Sequence, residues 1–160
     1  VLRRGGLATT AHDATTRLQH ALDSGAAAEH FERMVAALGG PSDLMLKSDR
    51  YLPTAPIHVD VIADDAGTIR AIDSRCLGDL VVDLGGGRRH PDDCIDLAVG
   101  LDQVRSVGDL VARGEPLLRL CLRSADQIEW ARTRVLAAFE LGAAVAPVSL
   151  IHARIDVEHC

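Results

Sequence analysis

The sequence predicts an α+β fold in which two helices come first and strands mixed with helices follow. Over the first forty residues, apolar residues recur every three or four positions, as on the buried face of a helix. From residue 57 they alternate with polar residues, as in a strand with one buried face. Glycine and proline clusters between these segments mark turns. A purely helical or purely β fold is therefore not expected.

The composition is that of a globular chain with an aliphatic core. The 160 residues are 48% hydrophobic and 25% charged but only 2% aromatic, so Leu, Val, Ile and Ala must fill the core. The net charge of −6 and the scarcity of aromatic rings argue against a nucleic-acid partner. The sequence contains no apolar run of membrane-spanning length, no signal peptide and no C-x-x-C pair. We expect a cytoplasmic protein with reduced thiols and no membrane partner.

Residues 1–56 are predicted to form two helices and a connector. Thr10 and Asp13 have the spacing of a capping box at the start of the first helix. The second helix stops at Gly39-Gly40-Pro41, as a glycine C-cap followed by proline should. Three prolines mark the rest of this part as a connector. The apolar stripes of the two helices contain Leu18, Phe31, Val35 and Leu38.

Strands and helices alternate after residue 57. Ile57 to Val61 alternate apolar and polar side chains, and "TIRAID" returns as a second strand after the turn at 64–67. A short amphipathic helix containing Leu77 and Leu80 then leads into a run of glycines. The sequence "CIDLAVGL" (94–101), after the glycines, is predicted to be a further strand.

Two turns, at Gly108 and Gly114, precede a strand with Leu118, Leu120 and Leu122 on one face. The last helix is predicted to begin with a capping box of Ser124 and Gln127 and to end near Gly142. "VSLIHARI" (148–155) is predicted to close the chain as a strand.

The sequence "LGGGRRHPDDCIDLAVG" (84–100), which we call the glycine–arginine segment, permits several interpretations. Glycine amides can cradle a phosphate, but cradles precede helix N-termini, whereas this run follows a helix C-terminus. A C-cap leading into a surface loop is the plain alternative. His90, Asp92 and Asp93 could ligate a metal, although no paired ligand motif supports them. Asp93 and Asp96 could form a carboxylate pair, or each could be a helix N-cap or pair with an arginine.

The stretch "GDLVARGEPL" (108–117) is similar in its turn–strand–turn pattern to biotinyl and lipoyl carrier domains. Those carriers need a modifiable lysine on a tight hairpin. The only lysine of this chain, Lys47, lies in the connector, so a carrier function is not expected.

Five stretches together carry a resemblance to a known family. They are "ALDSGAAAEHFERMVAALGGP" (21–41), "YLPTAPI" (51–57), "LGGGRR" (84–89), "IDLAVGL" (95–101) and "GDLVARGEPLLRL" (108–120). In this order and spacing they resemble the C-terminal part of the thymidine phosphorylases and of the wider pyrimidine-nucleoside phosphorylase family. The resemblance extends from about residue 2 to about residue 155.

The resemblance implies both a domain organisation and a reaction. Residues 1–56 would be the terminal helices and connector of a larger α/β catalytic domain. Residues 57–160 would be the family's C-terminal domain, a hammerhead-like or barrel-sandwich fold. The family transfers a pentosyl group from a pyrimidine nucleoside to phosphate, which is a co-substrate, and no cofactor is implied. Its dimer forms through an N-terminal helical domain, so a homodimer is implied only for the full-length protein.

The family's catalytic residues lie upstream of the segment that this chain resembles. No position here matches them, so we expect the 160 residues alone to be inactive and to need the N-terminal catalytic portion as their partner. In the family, the loop after the glycine run is near the interdomain cleft and can be mobile. Gly85, Gly86 and Gly87 would then act as a hinge, and Arg88 and Arg89 would anchor the closed loop, with Asp93 as a further candidate. A purely structural interdomain contact is the alternative.

Two other functions stay open at the level of sequence. The chain could be a non-catalytic interaction or scaffold module derived from the family. It could also be the same portion of a uridine or AMP phosphorylase, because substrate choice depends on a pocket upstream of this segment.

Overall fold

The structure of the chain is a computed structural model, and it describes residues 1–144. The chain divides into two compact units, Val1–Leu52 and Pro53–Cys160. No helix within residues 1–144 has the length and apolar character needed to cross a bilayer.

The first unit contains the two predicted helices, α1 (Ala11–Asp23) and α2 (Ala26–Ala37). The Thr10 hydroxyl caps α1 by accepting a hydrogen bond of 3.1 Å from the Asp13 amide. Helix α2 ends in a Schellman motif: Gly39 has a φ of +88°, and the Gly40 amide donates to the Val35 carbonyl at 2.9 Å. The connector, predicted as irregular, contains one helical turn, α3 (Ser48–Tyr51).

The apolar stripes of α1 and α2 are accessible to solvent. Neither helix has a buried residue. The half-buried Val35 has the least exposed side chain of the stripe named above. The large exposed apolar side chains of the two helices and the α2 cap are Leu18, Leu22, Phe31, Met34 and Leu38.

Up to residue 144, the second unit has two three-stranded antiparallel sheets and two helices, which confirms the α+β class; the described strands form no closed barrel. The strand order is β1-β5-β3 in one sheet and β4-β2-β6 in the other. The elements are β1 (Ile57–Ile62), β2 (Gly67–Ile72), α4 (Ser74–Asp83), β3 (Gly100–Asp102), β4 (Leu110–Val111), β5 (Pro116–Leu122), α5 (Gln127–Ala138) and β6 (Phe139–Gly142).

One aliphatic core joins both sheets to α4 and α5. Strand β5 is the central strand of its sheet, and its Leu120 pairs with Val59 of β1 and with Leu101 of β3. The core follows the predicted periodicity, because the buried residues alternate from Leu118 to Leu122 in β5 and recur at helical spacing along α4 and α5. Its fully buried members include Val61, Ile69, Leu80, Leu118, Leu120 and Val135.

Two predicted elements of this unit are wrong in extent. Of the predicted strand 94–101, only Gly100 and Leu101 lie in a strand, β3. The rest turns because the Ala98 amide donates to the Asp96 carboxylate at 3.0 Å, which replaces ladder hydrogen bonds. Helix α5 ends at Ala138, not near Gly142, because residues 139–142 form β6 and pair with β2.

The capping box predicted before α5 is only half formed. Gln127 Oε1 accepts the Ser124 amide at 3.2 Å, but the Ser124 hydroxyl donates to Asp126 and does not accept the Gln127 amide, which donates to the Ser124 carbonyl. The predicted strand 148–155 lies outside the described residues.

Candidate functional site

Helix α4 leads directly into the glycine–arginine segment. The helix begins where the Asp73 carboxylate accepts the Cys76 amide at 2.9 Å, and Leu77 and Leu80 bury its inner face. It ends in a Schellman motif in which Gly85 has a φ of +95°. The Gly85 amide donates to Val82 O at 3.0 Å, and the Gly86 amide donates to Val81 O at 2.9 Å. Both amides therefore cap the helix and do not point to a phosphate site.

The second and third glycines have little free space around them. A Cβ on Gly86 would lie 2.9 Å from Val81 Cγ1 and 3.1 Å from the Val99 carbonyl oxygen. A Cβ on Gly87 would lie 2.7 Å from Val82 Cγ2. Close packing against the helix end thus accounts for glycine at both positions.

Asp93 closes the turn that contains Arg89 and His90. One of its carboxylate oxygens accepts both the Arg89 and His90 amides, each at 2.9 Å. These hydrogen bonds, from His90 first and Arg89 second, hold the pKa of Asp93 below its usual value. The proposed metal ligands do not assemble, since no group of three His, Cys, Asp or Glu side chains within residues 1–144 could hold a metal.

Asp83, the last residue of α4, binds two arginines. Arg89 Nη2 donates to Asp83 Oδ1, and Arg134 Nη1 of α5 donates to Asp83 Oδ2 at 2.5 Å. The two guanidinium groups, Arg89 first, hold the pKa of Asp83 below its ordinary value. Asp83 and Arg134 are each 31% exposed, while Arg89 is 63% exposed.

Asp96 holds the other end of the segment. Its amide donates to Gly85 O at 2.8 Å. Its carboxylate accepts two hydrogen bonds from Arg123, from Nε at 2.5 Å and from Nη2 at 2.8 Å. The Arg123 hydrogen bonds, followed by the one from the Ala98 amide, lower the pKa of Asp96 from 3.8 to about 2.

In this arrangement three carboxylates of the segment and of the end of α4 are paired with groups of the same chain. Asp83, Asp93 and Asp96 are ionised at neutral pH and have partners within the chain, so none can act as a general acid there. Asp93 and Asp96 each have separate partners and do not work as a carboxylate pair. Arg88 is exposed, and it forms no ion pair with any residue of the described range 1–144.

A shallow cavity of about 330 Å³ lies elsewhere in the second unit. Its lining includes the apolar residues Leu117, Phe139 and Leu141 and the carboxylates Asp64 and Asp65. It contains no nucleophile–base pair, so it does not resemble an active site.

Sequence reasoning identified Arg89, Asp93 and Asp96 but missed Asp83, Arg123 and Arg134. The partner of Asp83 on α5 is 51 residues away, and the partner of Asp96 is 27 residues away. No local spacing rule connects such pairs, and the only signal in the sequence is that each residue is charged.

Comparison with known proteins defines the class of this domain. A family model of the pyrimidine nucleoside phosphorylase C-terminal domain matches residues 68–142, which extend from β2 through the glycine–arginine segment to the end of β6. The resemblance to the C-terminal part of this family, stated from the sequence, is thereby confirmed.

The relatives that it matches are thymidine phosphorylases. The chain is 50% identical over 117 residues to the thymidine phosphorylase of Burkholderia cenocepacia (strain HI2424) and, over the same length, to that of Burkholderia orbicola (strain AU 1054). The matched stretch covers 73% of this chain but 27% of each relative. The similarity thus concerns the C-terminal part of these enzymes.

Proposed function

We propose that the chain is the C-terminal part of a thymidine phosphorylase, an enzyme that converts thymidine and phosphate to thymine and 2-deoxyribose 1-phosphate. The observation that carries this proposal is the 50% identity over 117 residues to enzymes of that name.

The role of these 160 residues in the reaction is structural. Phosphorolysis needs cations beside the phosphate dianion and a donor for the departing pyrimidine. In the described part, Arg89, Arg123 and Arg134 neutralise carboxylates of the chain itself. The catalytic groups therefore belong to the portion of the enzyme that corresponds to the unmatched length of the relatives.

Three further properties belong to the same proposal. The upstream catalytic portion is the partner of this chain, and a homodimer is the form of the full-length enzyme. Phosphate is a co-substrate and no cofactor takes part. The enzyme works in the cytoplasm.

A chimera tests the proposal directly. The matched 117 residues of the Burkholderia cenocepacia enzyme are replaced by those of this chain, and thymine release from thymidine is measured with phosphate present. We expect kcat/KM to stay within about tenfold of that of the parent enzyme. A tenfold decrease would be a loss of about 1.4 kcal/mol of transition-state stabilisation. A chimera with the buried Leu120→Asp substitution serves as the inactive control.

Each other outcome contradicts a stated part of the proposal. A folded chimera that cleaves uridine or AMP but not thymidine would show that the substrate is wrong. A folded chimera without any phosphorolysis would favour the scaffold function. Thymine release by the 160-residue chain alone would disprove the structural role.

A further inference from the structure

The glycine–arginine segment is attached to the rest of its unit near both ends. We propose that these attachments form a two-point ion-pair latch, in which Asp83 holds Arg89 and Arg123 holds Asp96. Movement of the segment then requires breaking these ion pairs and is not set by the glycines. This inference does not rest on the proposed reaction.

The first attachment fixes the start of the segment to two helices at once. Asp83 uses one oxygen for Arg89 and the other for Arg134, so one carboxylate connects the segment, α4 and α5. Asp83 keeps its hydrogen bond to Arg134 when the exposed Arg89 leaves, so the receiving carboxylate of the latch stays attached to α5.

The second attachment fixes the end of the segment. Arg123 follows β5 directly and holds Asp96 by two hydrogen bonds, a geometry that fixes orientation as well as distance. The Asp96 amide also donates to Gly85 O, which joins the two ends of the segment to each other. Residues 90–95 lie between the two attachments.

The glycines do not provide the freedom of a hinge. The Gly85 and Gly86 amides are committed to the end of α4, and Gly86 packs against both Val81 and Val99. Rotation at these residues would break the helix cap and this packing together. The guanidinium–carboxylate contacts of Arg89 are exposed, so they open more readily than the cap.

Limited trypsin digestion of the 160-residue chain measures the latch, because trypsin cleaves after Arg88 and Arg89. Cleavage of a segment that opens and closes rapidly reports the population of its open form. We expect Asp83→Asn to raise the cleavage rate at these two bonds about fivefold, the effect of losing an exposed pair. Asp96→Asn should also raise it, and the double variant should exceed both single variants.

Two controls separate latch opening from unfolding. Asp65→Asn makes the same charge change in the exposed 64–67 turn and should leave the rate unchanged. Cleavage after the exposed Arg113, in a turn of the same unit, gives an internal reference that rises only if the whole unit unfolds. If Asp83→Asn unfolds the unit, Arg89→Gln changes only an exposed side chain, and faster hydrogen exchange of the Asp96 amide reports the same opening.

The proposal is overturned if the folded Asp83→Asn and Asp96→Asn variants are cleaved at the rate of Asp65→Asn. It is equally overturned if Arg89→Gln leaves exchange of the Asp96 amide unchanged. In either case the segment is held by the helix cap alone.

Discussion

Asp96 shows how one guanidinium group fixes a surface carboxylate. Two hydrogen bonds from Arg123 and one from the Ala98 amide favour its charged form and lower its pKa to about 2. The sequence analysis identified Asp96 as a candidate, but it did not identify Arg123 as its partner. A residue of this kind links the acidity of the solvent to the fold.

The stability contributed by Asp96 should therefore depend on pH. Because the folded pKa of about 2 is below the ordinary 3.8, the contribution is fully present above about pH 4 and is lost as pH falls toward 2. We expect Asp96→Asn to lower the urea midpoint of unfolding at pH 7, and this difference to shrink at pH 2.5. Direct NMR titration of Asp96 checks the pKa, and a value near 3.8 would contradict the prediction.

Gly86, just after α4, and Gly78, within α4, differ in the free space around them. A Cβ at Gly86 would crowd Val81 and Val99, whereas one at Gly78, within the helix, would meet nothing within 4 Å. We expect Gly86→Ala to destabilise by about 1–3 kcal/mol through overpacking. Gly78→Ala should stabilise by about 0.5–1 kcal/mol through helix propensity. Urea unfolding measures both, and effects of the same sign would contradict the assignment.

At the scale of elements, the features predicted correctly are those that neighbouring residues determine. The cap at Thr10, the glycine ends of α2 and α4, and the alternation along β1 and β5 each depend on neighbouring residues. Phe139 was placed in a helix because it continues the spacing of Val135, but it pairs with Ile72 of β2. That pairing partner is distant in the sequence, so periodicity alone could not identify the strand.

The difference between local and tertiary determinants also explains which features of the candidate site were predicted. A glycine C-cap followed by a loop is a local pattern, and the structure contains it at Gly85. The ion pairs of Asp83 and Asp96 depend on where β5 and α5 lie, which only tertiary packing decides. The absence of a lysine from this segment was, however, readable from the sequence.

Strand β5 provides the test at this scale. Leu120 is fully buried in its central position, whereas Leu110 of β4 is 75% exposed. We expect Leu120→Ala to cost about 2–5 kcal/mol of unfolding free energy through lost burial and a cavity. Leu110→Ala should change it by no more than about 0.5 kcal/mol. Chemical denaturation monitored by circular dichroism compares the two, and equal costs would contradict the described core.

At the scale of the whole molecule, the two units differ in how they bury apolar residues. Within its described residues, 53–144, the second unit has a core with nine fully buried large side chains, all between Val61 and Val135. In the first unit, α1 and α2 bury none of their residues. Exposed apolar side chains of this number favour association with another surface.

We therefore expect the isolated 160-residue chain to self-associate through α1 and α2. Replacing Leu22 and Leu38, which are 65% and 81% exposed, by Glu should weaken association at least about tenfold, because both charges would be desolvated on contact. Sedimentation velocity over a range of concentrations measures this. Leu97→Glu, at a 77% exposed position of the second unit, is the control. A chain that stays monomeric at high concentration would contradict the prediction.

The shared carboxylate of Asp83 has a consequence for the response of the molecule to ionic strength. At 0.1 M salt, screening acts over about 10 Å and weakens exposed charge pairs, whereas sulfate strengthens the burial of aliphatic side chains. In concentrated sulfate, the glycine–arginine segment should become more mobile, while the leucine-rich core of the second unit resists denaturation more strongly. Local order and global stability would then change in opposite directions in one solution.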